Sequence, residues 1–242
     1  LEVGTLIKGF NENQLTQMSS ELRAVSVASG LALGSISKAK YDIVSAGFSN
    51  AADSAAVLNA SAKLAVGGVT SAAEAADLLT TSLNALGLDA SDVNQVSDEL
   101  FTTVRLGKTT MSELAASMGF VLPFARAMNL DLQGVGAAMA TLTASGINTA
   151  QATTSLRSAI QSLQSPTDAS KKLMKEMGIE IKRFDYGSVD LVNTISQFQG
   201  LDPETMRKLI PRVEGVLAIQ TMAQNFNTLR ENVNQFATDS TG

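Results

Sequence analysis

The sequence predicts an all-α protein, a multi-helix orthogonal bundle of short alanine-rich helices. Three observations predict it: apolar residues recur at three- and four-residue spacing, alanine is concentrated in one half of the chain, and glycine followed by a capping residue punctuates the periodic runs. Of 33 alanines, 25 fall between Ala46 and Ala159. Alanine loses no side-chain entropy in a helix and lets neighbouring axes approach closely.

The first ten residues, LEVGTLIKGF, are mixed and suit a frayed lead-in or a short helix. From residue 12 to Ser29 the stripe Leu15, Met18, Leu22 and Val25 defines a helix, bracketed by Gly30 and Gly34. A second runs from Ser35 to Ala46 with Ile36, Ala39 and Ile43 on one side. Then a junction recurs: glycine, one large apolar residue and a cap, at Gly47-Phe48, Gly87-Leu88-Asp89 and Gly146-Ile147-Asn148. Glycine supplies the left-handed turn, the apolar residue tucks behind it, and the polar residue caps the next helix. The Gly87 and Gly146 junctions lie 59 residues apart, each with leucine four residues earlier (Leu83, Leu142). A duplication and two unrelated helix hairpins both account for that spacing.

Other starts are legible from their caps. Ser71 with Glu74, and Thr110 with Glu113, have capping-box spacing. Asp202-Pro203-Glu204 gives a cap, a first-turn proline and an acid at the positive helix end, and Ser165-Pro166 repeats the proline start. Helices are expected over 51–65, 71–86, 90–106, 111–127 (kinked or restarted at Pro123), 132–145, 149–164, 167–177, 188–198, 204–210 and 212–236. Near 179–187 the alternation Ile179, Ile181, then Phe184 or Tyr186 suits a small β-hairpin. The expected organisation is an N-terminal helical segment (1–45), an alanine-rich helical core (46–165), a helix and short hairpin region (166–201), and C-terminal helices (202–242). In the last, Ile219, Met222, Phe226, Leu229, Val233 and Phe236 form a stripe that either covers the bundle or begins a coiled coil with another copy.

Composition excludes several function classes. The 242 residues contain no Cys and no His, which removes thiolate chemistry, disulfides and the commonest general base and zinc ligand. The net charge is −5, and residues 51–104 set Lys63 against Asp53, Glu74, Asp77, Asp89, Asp92, Asp98 and Glu99. No block is basic enough to grip a phosphate backbone. No signal peptide is visible, and the start at Leu1 and the ending ATDSTG suggest a fragment of something longer.

A membrane reading has to be weighed, because Leu132 to Leu156 carries no charge over 25 residues. Against it stand Gln133, Asn148, Gln151, two central glycines and the junction at Gly146, which cuts the run in two. Candidate sites resolve similarly. Gly134 and Gly136 sit within a helix, so close helix contact is a better reading than a phosphate cradle. Asp89, Asp92, Asp98 and Glu99 form the densest acidic set, but the calcium-loop pattern is missing and capping plus a solvated face explains them. Arg126 and Arg157 snorkel, cap neighbouring helix ends or contact phosphate. Met174, Met177, Met206 and Met222 are packing residues, with a methionine-lined partner groove as the alternative. No catalytic, cofactor-binding or metal-ligating residue is assigned.

With the residues laid out, a likeness emerges. AGFS (Ala46 to Ser49), GVTSAAEAADLLTTSLNALGL (Gly68 to Leu88), VSDEL (Val96 to Leu100), TTMSELAASM (Thr109 to Met118) and LTASGINTAQATTSLRSAI (Leu142 to Ile160), in that order, resemble the core domain of phage tail tape measure proteins of the lactococcal-phage TP901 type. The likeness continues loosely through LMKEMGIEI (Leu173 to Ile181) and covers roughly residues 20–225. It departs at FDYGSV (Phe184 to Val189), which replaces the family's commoner aspartate, short turn and glycine, and beyond Phe226 little is recognised.

The resemblance implies a structural, non-enzymatic protein of a phage or prophage that lies in the tail lumen of the virion and in the host cytoplasm during assembly. It implies a role in setting tail length and in DNA delivery across the host envelope, with tail tube subunits and tail assembly chaperones as partners and no cofactor. Self-association through the C-terminal helix and transient contact with DNA or the envelope belong to the same expectation. The competing classes are a membrane-active or secreted helical effector and, further off, a cell-wall hydrolase fragment.

Overall fold

The computed structural model describes residues 12–239, so the expectation for the first ten residues lies outside the described part. Among the described residues fourteen α-helices follow one another: α1 (Glu12–Ser29), α2 (Leu33–Ser45), α3 (Ala51–Gly67), α4 (Ala72–Leu86), α5 (Val93–Leu106), α6 (Met111–Ser117), α7 (Leu122–Met128), α8 (Leu132–Ala144), α9 (Thr149–Gln164), α10 (Asp168–Met177), α11 (Leu191–Ser196), α12 (Pro203–Leu209), α13 (Val213–Gln224) and α14 (Phe226–Asp239). The protein is an all-α, multi-helix bundle with no β-strand among the described residues. The described residues form two compact units, one running up to Phe101 and joined by Thr110–Ala116, the other Thr102–Thr109 with the residues from Ser117 on.

In the first unit α2 and α4 pack together, with α3 against both and α1 against α2 and α3. Ile36, Ile43, Leu58, Leu78, Leu79 and Leu83 are fully buried there, Ile36 and Ile43 on the face their spacing anticipates. Two capping boxes fix helix starts. Ser71 Oγ accepts from the Glu74 N–H while Glu74 Oε2 accepts from the Ser71 N–H, and Thr110 and Glu113 repeat the exchange.

In the second unit α9 packs on α13, α8 and α7, and α14 packs on α8 and α11. The run from Gly134 to Thr143 in α8 is buried without a break. A helix enclosed on every side by protein has no polar face, which explains why this uncharged segment imitates a membrane helix in sequence. No described helix is long and apolar enough to cross a membrane.

The glycine junctions close as their spacing implies. At Gly87 (φ 71°) the Leu88 N–H reaches back to the Leu83 carbonyl at 2.9 Å, and at Gly146 (φ 93°) the Ile147 N–H reaches the Leu142 carbonyl at 3.2 Å. This is the bond that satisfies a helix's orphan carbonyl after a left-handed residue, so the leucine four positions before the glycine marks its acceptor. The Asn148 side chain then accepts from the Gln151 N–H. The apolar residues behind the glycines are less enclosed than expected: Phe48 and Ile147 are half-buried and Leu88 is exposed.

The helix expected over 111–127 restarts at Pro123 as its sequence implies: α6 is followed by a single 3-10 turn at Met118–Phe120 and then α7, with Pro123 in its first turn. Three expectations need correction. The helix expected over 212–236 divides at Asn225, whose side chain donates to the Thr221 carbonyl and whose own carbonyl receives the Leu229 N–H. After Pro166 the cap is Thr167, not Ser165: Thr167 Oγ1 accepts from the Ser170 N–H at 3.1 Å. The hairpin near 179–187 is reduced to one antiparallel bridge between Arg183 and Val189. Two strands leave too many unpaired backbone groups to persist alone, and here side chains in and just after α11 take them instead: Gln197 Oε1 accepts from the Glu180 N–H and Thr194 Oγ1 from the Lys182 N–H.

Candidate functional site

The acidic set separates by role. The Asp89 N–H donates to Asp92 Oδ2 at 2.9 Å, Asp98 faces solvent, and Glu99, only 6% exposed, accepts from Gln95 Nε2. Among the described residues no three His, Cys, Asp or Glu side chains stand close enough to hold a metal ion. Arg157 lies over the Phe124 ring at 5.9 Å, a cation–π contact, and Arg126 is exposed in the last turn of α7, where the helix dipole favours a cation. Met206 and Met222 are core residues, whereas Met174 is half-buried and Met177 exposed.

One ionic cluster escaped the sequence reading. Lys40, 3% exposed, directs its ammonium to both Glu21 oxygens (2.9 and 3.2 Å) and to Ser54 Oγ (2.9 Å), joining α1, α2 and α3. All three donors are used, so the charge can be buried. A cleft of about 370 Å³ lined by Gln14, Gln17, Met18 and Ser49 opens beside it. In the second unit a cleft of about 390 Å³ lies between Phe124, Gln164, Thr167 and Arg212, whose Nη1 donates to Gln161 Oε1.

Helix contact is closest where small residues meet large ones. A Cβ on Gly136 would stand 2.5 Å from Thr103 Oγ1 and 2.6 Å from Phe236 Cζ, so α14 lays its aromatic ring directly on the backbone of α8. Beside it Asn232 Nδ2 donates to Thr141 Oγ1 at 3.0 Å, a buried polar pair that fixes the register of the two helices. Gly215 of α13 brings that helix against the backbone of Ser158 in α9. Gly134, by contrast, makes room for Leu130 and for its own capping Asp131. The C-terminal stripe therefore serves the bundle, with Ile219, Met222, Leu229 and Phe236 buried.

The loop from Lys182 to Asp190 holds the other unusual group. Phe184 and Tyr186 stack face to face, ring centres 5.2 Å apart at 7°, and stand 39% and 74% exposed. The sequence signal was two aromatics separated by one aspartate in a chain with few aromatics, absorbed there into a hairpin.

The family described as phage-related minor tail protein matches residues 12–236. The chain belongs to this family. A tape measure protein of Pneumococcus phage Dp-1 is 29% identical over 127 residues, covering 52% of this chain and 11% of the relative. A probable tape measure protein of Clostridium phage phiCD119 is 28% identical over 237 residues, covering 92% of this chain and 25% of the relative. This minor tail protein thus spans a quarter or less of the length of these relatives, and it is a phage tail protein related to tape measure proteins. No solved structure matches it.

Proposed function

We propose that the chain is the folded core domain of a tape measure protein, of the TP901 type, acting in the tail lumen as an assembly module and not as the ruler itself. The observation that carries this reading is the family match over residues 12–236 falling on a body of short helices closed by left-handed junctions. A length-measuring segment needs an extended helix, while α1 to α4 and α8 each run only 13 to 18 residues before the chain turns at a left-handed residue. Tail tube subunits and tail assembly chaperones are its proposed partners, and delivery of DNA through the host envelope its proposed later role. Residues 1–45, 46–165, 166–201 and 202–242 are proposed as its successive parts, and neither catalysis nor a cofactor is proposed.

The test is tail length in the encoding phage. Removing residues 12–236 from the full-length protein should abolish tails or leave tail length unchanged. Tails shortened by about 340 Å, the rise of an α-helix of that many residues, would show that the segment acts as an extended ruler and overturn the proposal.

A further inference from the structure

The 182–190 loop is held more firmly than a connection between two short helices needs. Arg183 Nη1 donates to the carbonyls of Met128 (3.2 Å) and Gly187 (2.9 Å), and Asn129 Nδ2 donates to the same Gly187 carbonyl at 2.7 Å. The Val189 N–H donates to the Asn129 carbonyl and Ser188 Oγ to Asp131 Oδ2. Within the loop the Phe184 N–H reaches the Ser188 carbonyl and the Gly187 N–H the Phe184 carbonyl. Asn129 adopts φ 61° and Gly187 φ 93° to allow this. Residues 188–190 are buried by these bonds, and the two rings are left in solvent.

Exposing two stacked rings forgoes burial free energy, and their rigid mounting removes the entropic cost of ordering them later. A preorganised aromatic surface of this kind is what binding sites use as an anchor. Its electrostatics select the ligand. Ring faces are the negative pole of the aromatic quadrupole. Asp185 lies between the two rings in sequence, and Asp131 and Asp190 act on the Tyr186 hydroxyl, which desolvation first and these two carboxylates second raise above the ordinary phenol value. Of the nearby cations, Lys182 is paired with Glu180, and the Arg183 guanidinium is engaged by backbone carbonyls.

We infer that the Phe184–Tyr186 platform is a docking site for a basic segment of a partner protein, an arginine side chain stacking on the exposed ring face. Arginine fits better than lysine because its planar guanidinium stacks while its edge hydrogen-bonds to carboxylates. A nucleic acid strand could stack its bases here, but its phosphates would meet the same carboxylates. The inference stands independently of the assembly role proposed above.

The test uses the whole chain, isotopically labelled, titrated with a blocked tetra-arginine peptide and followed by amide resonances. Parallel titrations use a blocked tetra-glutamate peptide and a thymidine hexanucleotide. Tetra-arginine should shift resonances of 182–190 and 129–131. Tyr186→Ala should weaken it about fivefold, the worth of roughly one exposed cation–π contact, Asp185→Asn less, and Tyr186→Phe little. Tyr186 is a surface side chain, and unchanged resonances outside the loop will report that the variants fold. No loop shift at millimolar peptide, equal affinity in Tyr186→Ala, or tighter loop binding by the hexanucleotide or tetra-glutamate would each overturn the inference.

Discussion

Gly136→Ala isolates the close approach of α14 to α8. In an open helix interior the change stabilises by about 1 kcal/mol, because alanine is the better helix former. Here the new methyl would stand 2.5 Å from Thr103 Oγ1 and 2.6 Å from Phe236 Cζ, where ordinary contact begins at 3.4 Å. Both neighbours are buried and neither is the end of a long flexible chain, so each must yield by about 0.8 Å or the helices must part, at an overpacking cost of about 2–3 kcal/mol. The net expectation is a loss of about 1–2 kcal/mol, or roughly 3–6 °C in melting temperature for a chain of this size. Thermal unfolding followed by circular dichroism reads it. Gly34→Ala is the control: nothing lies within 4 Å of its added methyl, and it should stabilise. In a Phe236→Leu background, which lacks the clashing ring atom, Gly136→Ala should cost less than half as much. A Gly136→Ala protein as stable as the parent, or an unchanged cost in the Phe236→Leu background, would refute the reasoning.

Three further outcomes follow from the same geometry. Ser155 Oγ and Ser158 Oγ are buried without a hydrogen-bond partner, so Ser155→Ala should be neutral or stabilise by up to about 1 kcal/mol in urea unfolding, whereas an equal loss would indicate a partner. Glu21→Gln leaves the Lys40 ammonium buried without its carboxylate and should cost about 2–3 kcal/mol, just below the range for broken fully buried pairs because Glu21 is 28% exposed; a loss below 0.5 kcal/mol on the order of a surface pair would contradict this. The Thr70 hydroxyl first, then the Ser71 N–H and hydroxyl, hold the Glu74 carboxyl below its ordinary value. That contribution is complete above the unfolded glutamate value and fades as pH falls through the lower folded value. Ser71→Ala should therefore flatten the acid limb of the stability profile and cost about 1 kcal/mol at neutral pH; an unaltered acid limb would count against the capping box.

Much of the fold is legible in local chemistry because its helix ends are set by local bonds. Ser71, Thr110, Asn148 and Asp202 each make the backbone bond that their position announces, and Gly87 and Gly146 take the left-handed turn. Part of what failed depended on contacts distant in sequence. The Ile179–Ile181 alternation looks like a strand, but the partners its backbone takes are the side chains of Thr194 in α11 and Gln197 just after it. The stripe through Ile219 and Phe236 is continuous in spacing yet crosses a break at Asn225, since apolar periodicity survives an interruption that keeps the same face inward. The Lys40 cluster needed Glu21 and Ser54 from two other helices, and no spacing along the chain brings those three together.

The platform at Phe184 and Tyr186 was hidden for a different reason. Alternation there is real, but both rings face solvent, and only the anchoring of Arg183 and Asn129 to the Gly187 carbonyl shows that the exposure is built.

Amide hydrogen exchange along Val135–Thr143 of α8 probes whether small side chains in this tail protein exist so that protein can enclose helices. In lipid-free buffer these amides should be among the slowest in their unit, opening only when that unit unfolds, and vesicles should leave them unchanged. Exchange as fast as in an isolated helix, or protection gained only when vesicles are added, would contradict the account.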